Sequence, residues 1–136
     1  MPKFATIEWG EALKEHLNQL KDFKKASKDF TATFVMIMEA SPEMGLPEDK
    51  AFYADAGKGK VREIAELAPG EEKKADYIFK GSYENWTAVA TSQLDPIRAI
   101  TEKRFEIIAG DVRELLRHVK SINIMISAIR DINTEF

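Results

Sequence analysis

The chain of 136 residues contains no cysteine. That absence excludes disulfides, thiolate metal sites, redox pairs and cysteine nucleophiles, and it suits a reducing compartment. No run of about 18 apolar residues occurs, so no segment is expected to span a bilayer. Met1 to Ala12 lacks the apolar core of a secretory signal. The expected location is therefore the cytoplasm. A basic excess is missing too: Lys and Arg number 20, Asp and Glu 23, for a net charge of −3. The charge is spread evenly along the chain, which argues against a nucleic-acid partner.

Chemistry-bearing motifs are equally scarce. There are two histidines, His16 and His118. They lie far apart on expected helices and have no ligand spacing, so no metal site is expected. There is no Gly-x-Ser-x-Gly elbow. Gly57-Lys58-Gly59-Lys60 is too short for a phosphate cradle and no helix follows it, so it reads as a hairpin turn. Asn85-Trp86-Thr87 matches a glycosylation sequon only by chance, because no secretory signal accompanies it. Glu71-Glu72-Lys73-Lys74 reads as a solvated loop. The chain is expected to be no enzyme and to need no cofactor.

What is present is the balance of a folded domain, with 44% hydrophobic and 32% charged residues. The length suits one domain over residues 1–136. Trp9, Leu13, Leu17, Leu20 and Phe23 recur at threes and fours and predict an amphipathic helix over 7–23, with Thr6 as a possible cap. Glu11, Lys14, Glu15, Asn18, Lys21 and Asp22 fall on its polar face. Phe30 to Met38 is rich in β-branched and aromatic residues and turns apolar on both faces, which predicts a central strand. Further strands are expected over 51–56, 61–67, 75–81 and 104–109.

Ser82 is a candidate N-cap for a helix from Tyr83. Asp95 is another, with Pro96 at the first helical position, where its missing N–H costs nothing. Asp111 would cap a long final helix. Its apolar stripe is Val112, Leu115, Leu116, Val119, Ile122, Ile126 and Ile129, and Ile124 and Met125 add an apolar flank. Continued to Ile132, that helix would be about 33 Å long. The fold class is α+β, a five-stranded and mostly antiparallel sheet covered by helices.

Methionines and phenylalanines gather in these elements: Met36, Met38 and Met125 with Phe34, Phe52, Phe79 and Phe105. Methionine fills irregular gaps and also lines adaptable binding surfaces. Periodicity alone leaves both a packed core and an internal tunnel open.

Residues 75–111 resemble the sterol carrier protein 2 family. The matching pieces are Ala75-Asp76-Tyr77-Ile78-Phe79-Lys80-Gly81-Ser82, Trp86, Leu94-Asp95-Pro96-Ile97-Arg98-Ala99, Phe105-Glu106-Ile107 and Gly110-Asp111. The layout before residue 75, an N-terminal helix and then a hairpin turned at Gly-Lys-Gly, is also similar. Two departures fall in turns. Ser92-Gln93 stand where family members commonly carry Gly-Lys, and Glu102-Lys103-Arg104 stand where they commonly carry a glycine.

The resemblance implies a hydrophobic cavity under the C-terminal helix and non-covalent binding or transfer of sterols, fatty acids, fatty acyl-CoA or phospholipids, without catalysis. Shared apolarity and period then nominate a lining: Phe34, Met36, Met38, Phe79, Phe105 and Ile107 from the sheet, and Ile122, Met125, Ile126 and Ile129 from the helix. Arg98, Lys103 and Arg104 are candidates to meet an anionic head. Trp86 is expected to lock its short helix onto the sheet. Transient membrane contact would accompany lipid transfer. The competing reading is an interaction module that uses Ile124, Met125 and Ile132 to form a homodimer around a packed, ligand-free core.

Overall fold

The computed structural model describes residues 1–136. In chain order the elements are α1 (Ile7–Gln19), α2 (Lys21–Ala26), β1 (Thr31–Glu39), β2 (Lys50–Gly57), β3 (Lys60–Glu66), β4 (Tyr77–Ser82), α3 (Tyr83–Ala90), α4 (Pro96–Thr101), β5 (Glu106–Ala109), α5 (Val112–Leu116) and α6 (Val119–Asp131). The five strands form one sheet in the order β3-β2-β1-β4-β5. β1 pairs parallel with β4, and the other three pairings are antiparallel. β1 is thus central, as its two apolar faces require.

The parallel pairing forces the chain to cross the sheet between β3 and β4. Leu67 anchors that crossing against Val35 and Tyr53, with Ala75 and Ile78 packed beside them. The charged run that follows Gly70 stays exposed. It does one further thing: Lys73 Nζ sits 4.6 Å from the centre of the Tyr53 ring, a cation–π contact.

The other sheet face carries the helices. α1 lies on β3 through Gly10, where an added Cβ would fall 2.8 Å from Ile64 Cγ2. Asn18 does not face solvent as its place in the helical pattern suggests. Its side-chain amide donates to the Val61 carbonyl at 2.9 Å, and its oxygen accepts from the Val61 N–H at 2.8 Å. The amide thereby satisfies backbone groups of an edge strand.

All four sequence-read caps are made. Thr6, Ser82, Asp95 and Asp111 accept from the backbone N–H groups of Trp9, Asn85, Arg98 and Arg113. Each satisfies a donor that the first helical turn leaves without a partner.

Two expected helices are broken. The first ends at Leu20, whose backbone is extended (φ −83°, ψ 117°). On a straight helix Leu17 and Phe23 would point roughly 120° apart. The break brings both into one buried cluster with Val61 and Ala128. The final helix breaks at Arg117-His118, and His118 stacks on Phe30 with ring centres 4.5 Å apart. Its second half, α6, has 13 residues, so it is about 20 Å long rather than 33.

The stripe on that helix is also corrected. Val119 is exposed, and the buried positions of α6 are Ser121 and Ala128. Ser121 shares a hydrogen bond with Ser27, at the end of α2, and both are sealed from solvent.

Besides Ala5 (φ 63°) and Lys58 (φ 54°), two further turns hold non-glycine residues in left-handed backbone: Ser92 (φ 69°) and Lys103 (φ 60°). These are the stretches where the resemblance leads one to expect glycine. A side chain there costs about 1–2 kcal/mol, and glycine gives back part of that gain through the unfolded chain. Lys103→Gly should therefore raise stability by up to about 1 kcal/mol, read from the urea midpoint. A fall would show that the Lys103 side chain makes an offsetting contact.

Truncating one of the buried serines should cost about 1–3 kcal/mol, because the other hydroxyl loses its only partner. Ser27→Ala combined with Ser121→Ala should cost less than the two singles together. Strict additivity in a denaturation cycle would rule out the pairing.

Candidate functional site

Between the sheet and helices α1, α3, α4 and α6 lies a cavity of about 250 Å³. Its floor is made by alternate residues of adjacent strands: Phe34, Met36 and Met38 from β1, Phe52, Ala54 and Ala56 from β2, and Phe79 from β4. Strand register sets Met36 beside Phe52 and Phe79. Its roof is Leu13 and Leu17 from α1, Trp86 and Val89 from α3, Ile100 from α4, and Ile122, Met125, Ile126 and Ile129 from α6. No charged side chain lines it, and 24 of its 27 lining residues are hydrophobic. The interior therefore offers nothing to an ionised group, which would lose its hydration without gaining a partner.

The isoleucines of α6 reach the cavity because the helix is anchored elsewhere. Ser121 and Ala128 touch the α1–α2 layer. Ile122 lies about 100° further round the helix. A side chain facing a void has no partner atoms on that side. Phe34, Met36, Ile122, Ile126 and Ile129 accordingly remain only partly buried.

One end of the cavity is closed by Phe4, Ala5 and Trp9. The Phe4 N–H donates to the Glu135 carbonyl at 2.8 Å, and the Trp9 indole N–H donates to Thr134 Oγ1 at 2.9 Å. Lys50 Nζ donates to the Ala5 carbonyl at 2.7 Å. The residues at 134 and 135 thus hold the N-terminal segment over the site.

Nine of the ten nominated residues line this one cavity: Phe34, Met36, Met38, Phe79, Phe105, Ile122, Met125, Ile126 and Ile129. Ile107 does not. It pairs with Phe79 across β4 and β5, but β5 is an edge strand, and there Ile107 packs against the cluster of Phe30, Ala32, Tyr77, Phe79 and Leu115 without reaching the cavity wall. Trp86 both lines the cavity and locks α3, its indole N–H donating to the Ile37 carbonyl at 2.9 Å. Gly81 makes room for Phe105, since a Cβ there would meet the ring at 2.4 Å.

None of Arg98, Lys103 and Arg104 lines the cavity. Arg98 pairs with Glu102 at 2.8 Å, its side chain 72% exposed. Ile124 and Met125 pack against Leu17 and Phe23, and Ile132 packs against the cluster around Phe4 and Trp9. That flank is thus partly buried within the chain.

Sequence reasoning did not assign the α1 residues or the end residues Phe4 and Ala5 to the site. The spacing of Trp9, Leu13 and Leu17 carried a signal that this face is apolar, but not that it looks onto a void.

Three tyrosines, Tyr53, Tyr77 and Tyr83, ionise above their ordinary range, first because burial penalises the phenolate. All remain neutral hydroxyls at neutral pH. No cluster of three or more His, Asp or Glu side chains is placed to hold a metal ion, and no helix is long and apolar enough to cross a membrane.

The sequence profile of the SCP-2 sterol transfer family matches residues 13–122. The chain belongs to that family, whose members bind or transfer lipids. A comparison with curated protein sequences returns no match. Among solved structures, a crystal structure of sterol carrier protein 2 superimposes with a TM-score of 0.85 at 20% identity, over 96% of this chain and 99% of that one. A conserved hypothetical protein from Thermus thermophilus gives 0.86 at 19% identity, over 99% and 93%. Palmitated SCP2L2 from Aedes aegypti gives 0.60 at 13% identity, over 88% and 94%. At these identities the likeness is one of fold.

If the cavity is a true void, adding carbon to its floor and adding carbon to the core should have opposite signs. Ala54→Val should stabilise by up to about 1.5 kcal/mol, about 0.8 per added carbon buried. Ala128→Val, in the closed contact with Leu17 and Phe23, should destabilise by about 1–3 kcal/mol through overpacking. Thermal or urea unfolding of both variants decides this, and destabilisation by both would mean the floor is already filled.

Proposed function

We propose that the cavity holds the hydrocarbon part of a lipid, such as a fatty acid, a fatty acyl-CoA, a phospholipid or a sterol-like molecule, for non-covalent binding and transfer. The observation that carries this reading is an uncharged void of about 250 Å³ inside a fold whose family handles lipids. A void of roughly 150 Å³ is already enough to take benzene. Each methylene buried contributes about 0.8 kcal/mol, so ten contribute about 8 before the costs of ordering the chain. Met36, Met38 and Met125 give the walls flexible side chains that repack around chains of different shape. The lining holds no histidine, carboxylate or amine, and Thr6 is its sole hydroxyl. The work of the site is therefore sequestration, and a polar head stays outside the apolar walls. The palmitate of the Aedes aegypti protein is the kind of molecule this reading expects. Transfer requires brief contact with a membrane surface, and a cytoplasmic setting suits a carrier without cysteine.

Native mass spectrometry of the purified protein, followed by solvent extraction, should find a co-purified lipid. Met36→Trp together with Ile126→Trp should leave the circular dichroism spectrum intact. It should weaken binding of a fluorescent fatty acid by at least about tenfold, equivalent to about 1.4 kcal/mol. Unchanged affinity in the folded double variant would overturn the lining. No saturable binding to the unaltered protein would overturn the function.

A further inference from the structure

The walls of the cavity are not tied down equally. α1 is fastened by Asn18 to Val61 and by Trp9 to Thr134, α3 by Trp86 to the Ile37 carbonyl, and α6 by Ser121 to Ser27. The N-terminal segment is held by the Glu135 carbonyl and by Lys50. α4 is the exception. It roofs the cavity with Pro96 and Ile100, yet no hydrogen bond or ion pair joins residues 95–103 to the sheet, to α1 or to α6. The polar contacts of this segment are internal. Asp95 caps the helix, Arg98 pairs with Glu102 at 2.8 Å, and the Thr101 hydroxyl donates to the Arg98 carbonyl at 3.0 Å.

Apolar packing alone holds α4 down. Ala99 is its one buried residue, 0% exposed, and it clusters with Val89 and Phe105, with Ile126 of α6 beside them. A helix of six residues has little stability of its own. The ends of the segment are fastened, and both to α3. The Gln93 and Leu94 N–H groups donate to the Ala88 carbonyl at 2.8 and 3.1 Å. The Asn85 side-chain amide donates to the Arg104 carbonyl at 3.0 Å. Beside each fastening stands one of the left-handed turns, Ser92 (φ 69°) and Lys103 (φ 60°). A few residues at the ends of an element are what a hinge requires, and a side chain held in left-handed backbone stores strain while the helix is down.

We propose that α4 is the lid of the cavity, hinged at Ser92 and Lys103, and that a lipid tail enters and leaves beneath it, between α4 and α6. The proposal rests on the cavity reading and adds the route. Lifting α4 breaks no hydrogen bond to another wall, and it lets both turns relax toward ordinary backbone. A tail passing there meets Ile100, Ile122 and Ile126, all of them lining residues, and so stays on apolar surface. The opposite end, closed by Phe4, Ala5 and Trp9, opens only by losing the hydrogen bonds of Phe4, Trp9 and Lys50.

The test is stopped-flow exchange of a fluorescent fatty acid on the full chain. Ala99 does not line the cavity, so Ala99→Gly loosens the lid without touching the ligand. Glycine in a helix interior shifts the opening equilibrium by about fivefold. Association and dissociation rates should both rise by at least about threefold, with Kd changed less than about twofold. Thr134→Val, which cuts the Trp9 tie at the opposite end, should leave both rates within about twofold. Saturable binding with rates that Ala99→Gly does not move overturns the lid and keeps the cavity. Rates raised by Thr134→Val alone put the mouth at the terminal end and overturn it too. No saturable binding to the unaltered protein removes the cavity reading and the proposal with it. Amide hydrogen exchange on the unaltered, ligand-free chain needs no variant and decides the lid even where Ala99→Gly fails to fold. Protection at residues 99–102 should be at least about tenfold lower than in α3 and α6, and equal protection overturns the lid.

Discussion

The attachment of α6 through its smallest residues governs the rest of the structure. Ser121 meets Ser27, and Ala128 meets Leu17, Phe23 and Val61. Small side chains let the helix approach the α1–α2 layer closely along one edge. Ile122, Ile126 and Ile129 are then turned aside, over the sheet, while Ile124 packs onto that layer. A helix docked by its isoleucines would press them onto Phe34 and Met36 and fill the interior. Docked by serine and alanine, it roofs a space that it does not occupy.

The sheet supplies the matching constraint. With β4 parallel to β1, the crossing segment at Leu67 covers the far face. The near face is left to the helices alone. α3 is fixed there by the Trp86–Ile37 hydrogen bond, so the wall on that side does not collapse inward. Glycine decides how far the aromatic side chains reach. Gly81 admits the Phe105 ring, and Gly110 admits Tyr77. Phe79 lines the cavity, and the Tyr77 ring stacks beyond it with centres 6.3 Å apart.

Much of this was legible in the sequence, because the local signals agree with the fold. β1 announces itself by apolar residues on both faces, and the caps at Ser82, Asp95 and Asp111 mark where the helices start. The apolar period found nine of the cavity residues, because a wall facing a void and a wall facing a core have the same period. That equivalence is also why periodicity could not distinguish a cavity from a packed interior, nor see that Ile107, out on the edge strand, falls outside the lining. The breaks at Leu20 and Arg117-His118 lack glycine or proline. They follow from where Phe23 and His118 must go, which is tertiary information. Asn18 reads as a solvent residue until the edge of β3 is placed beside it. The left-handed turns at Ser92 and Lys103 are hidden for a related reason: neither side chain advertises the conformation that its neighbours impose.

What the sequence did not mark on α6 is how the helix docks, and it bears on how such a site stays open. The apolar period picked out Ile122, Ile126 and Ile129, which face the cavity and stay partly exposed, whereas the buried positions are Ser121 and Ala128. An unfilled apolar space is destabilising, since its lining forgoes contacts on one side. The fold tolerates it because anchoring contacts are also made away from it: the sealed serine pair, the packing of Phe23 and Ala128, and the Trp86 hydrogen bond to β1 hold the layers in place, while Leu17, Val61 and Trp86 serve both the anchor and the wall. A ligand that binds only the folded state then adds to stability in proportion to its occupancy, about 2.7 kcal/mol at a hundredfold excess over its Kd. On α6 itself support and vacancy fall to different residues, Ser121 and Ala128 against Ile122, Ile126 and Ile129, so one helix holds the fold with one edge and faces the cavity with another.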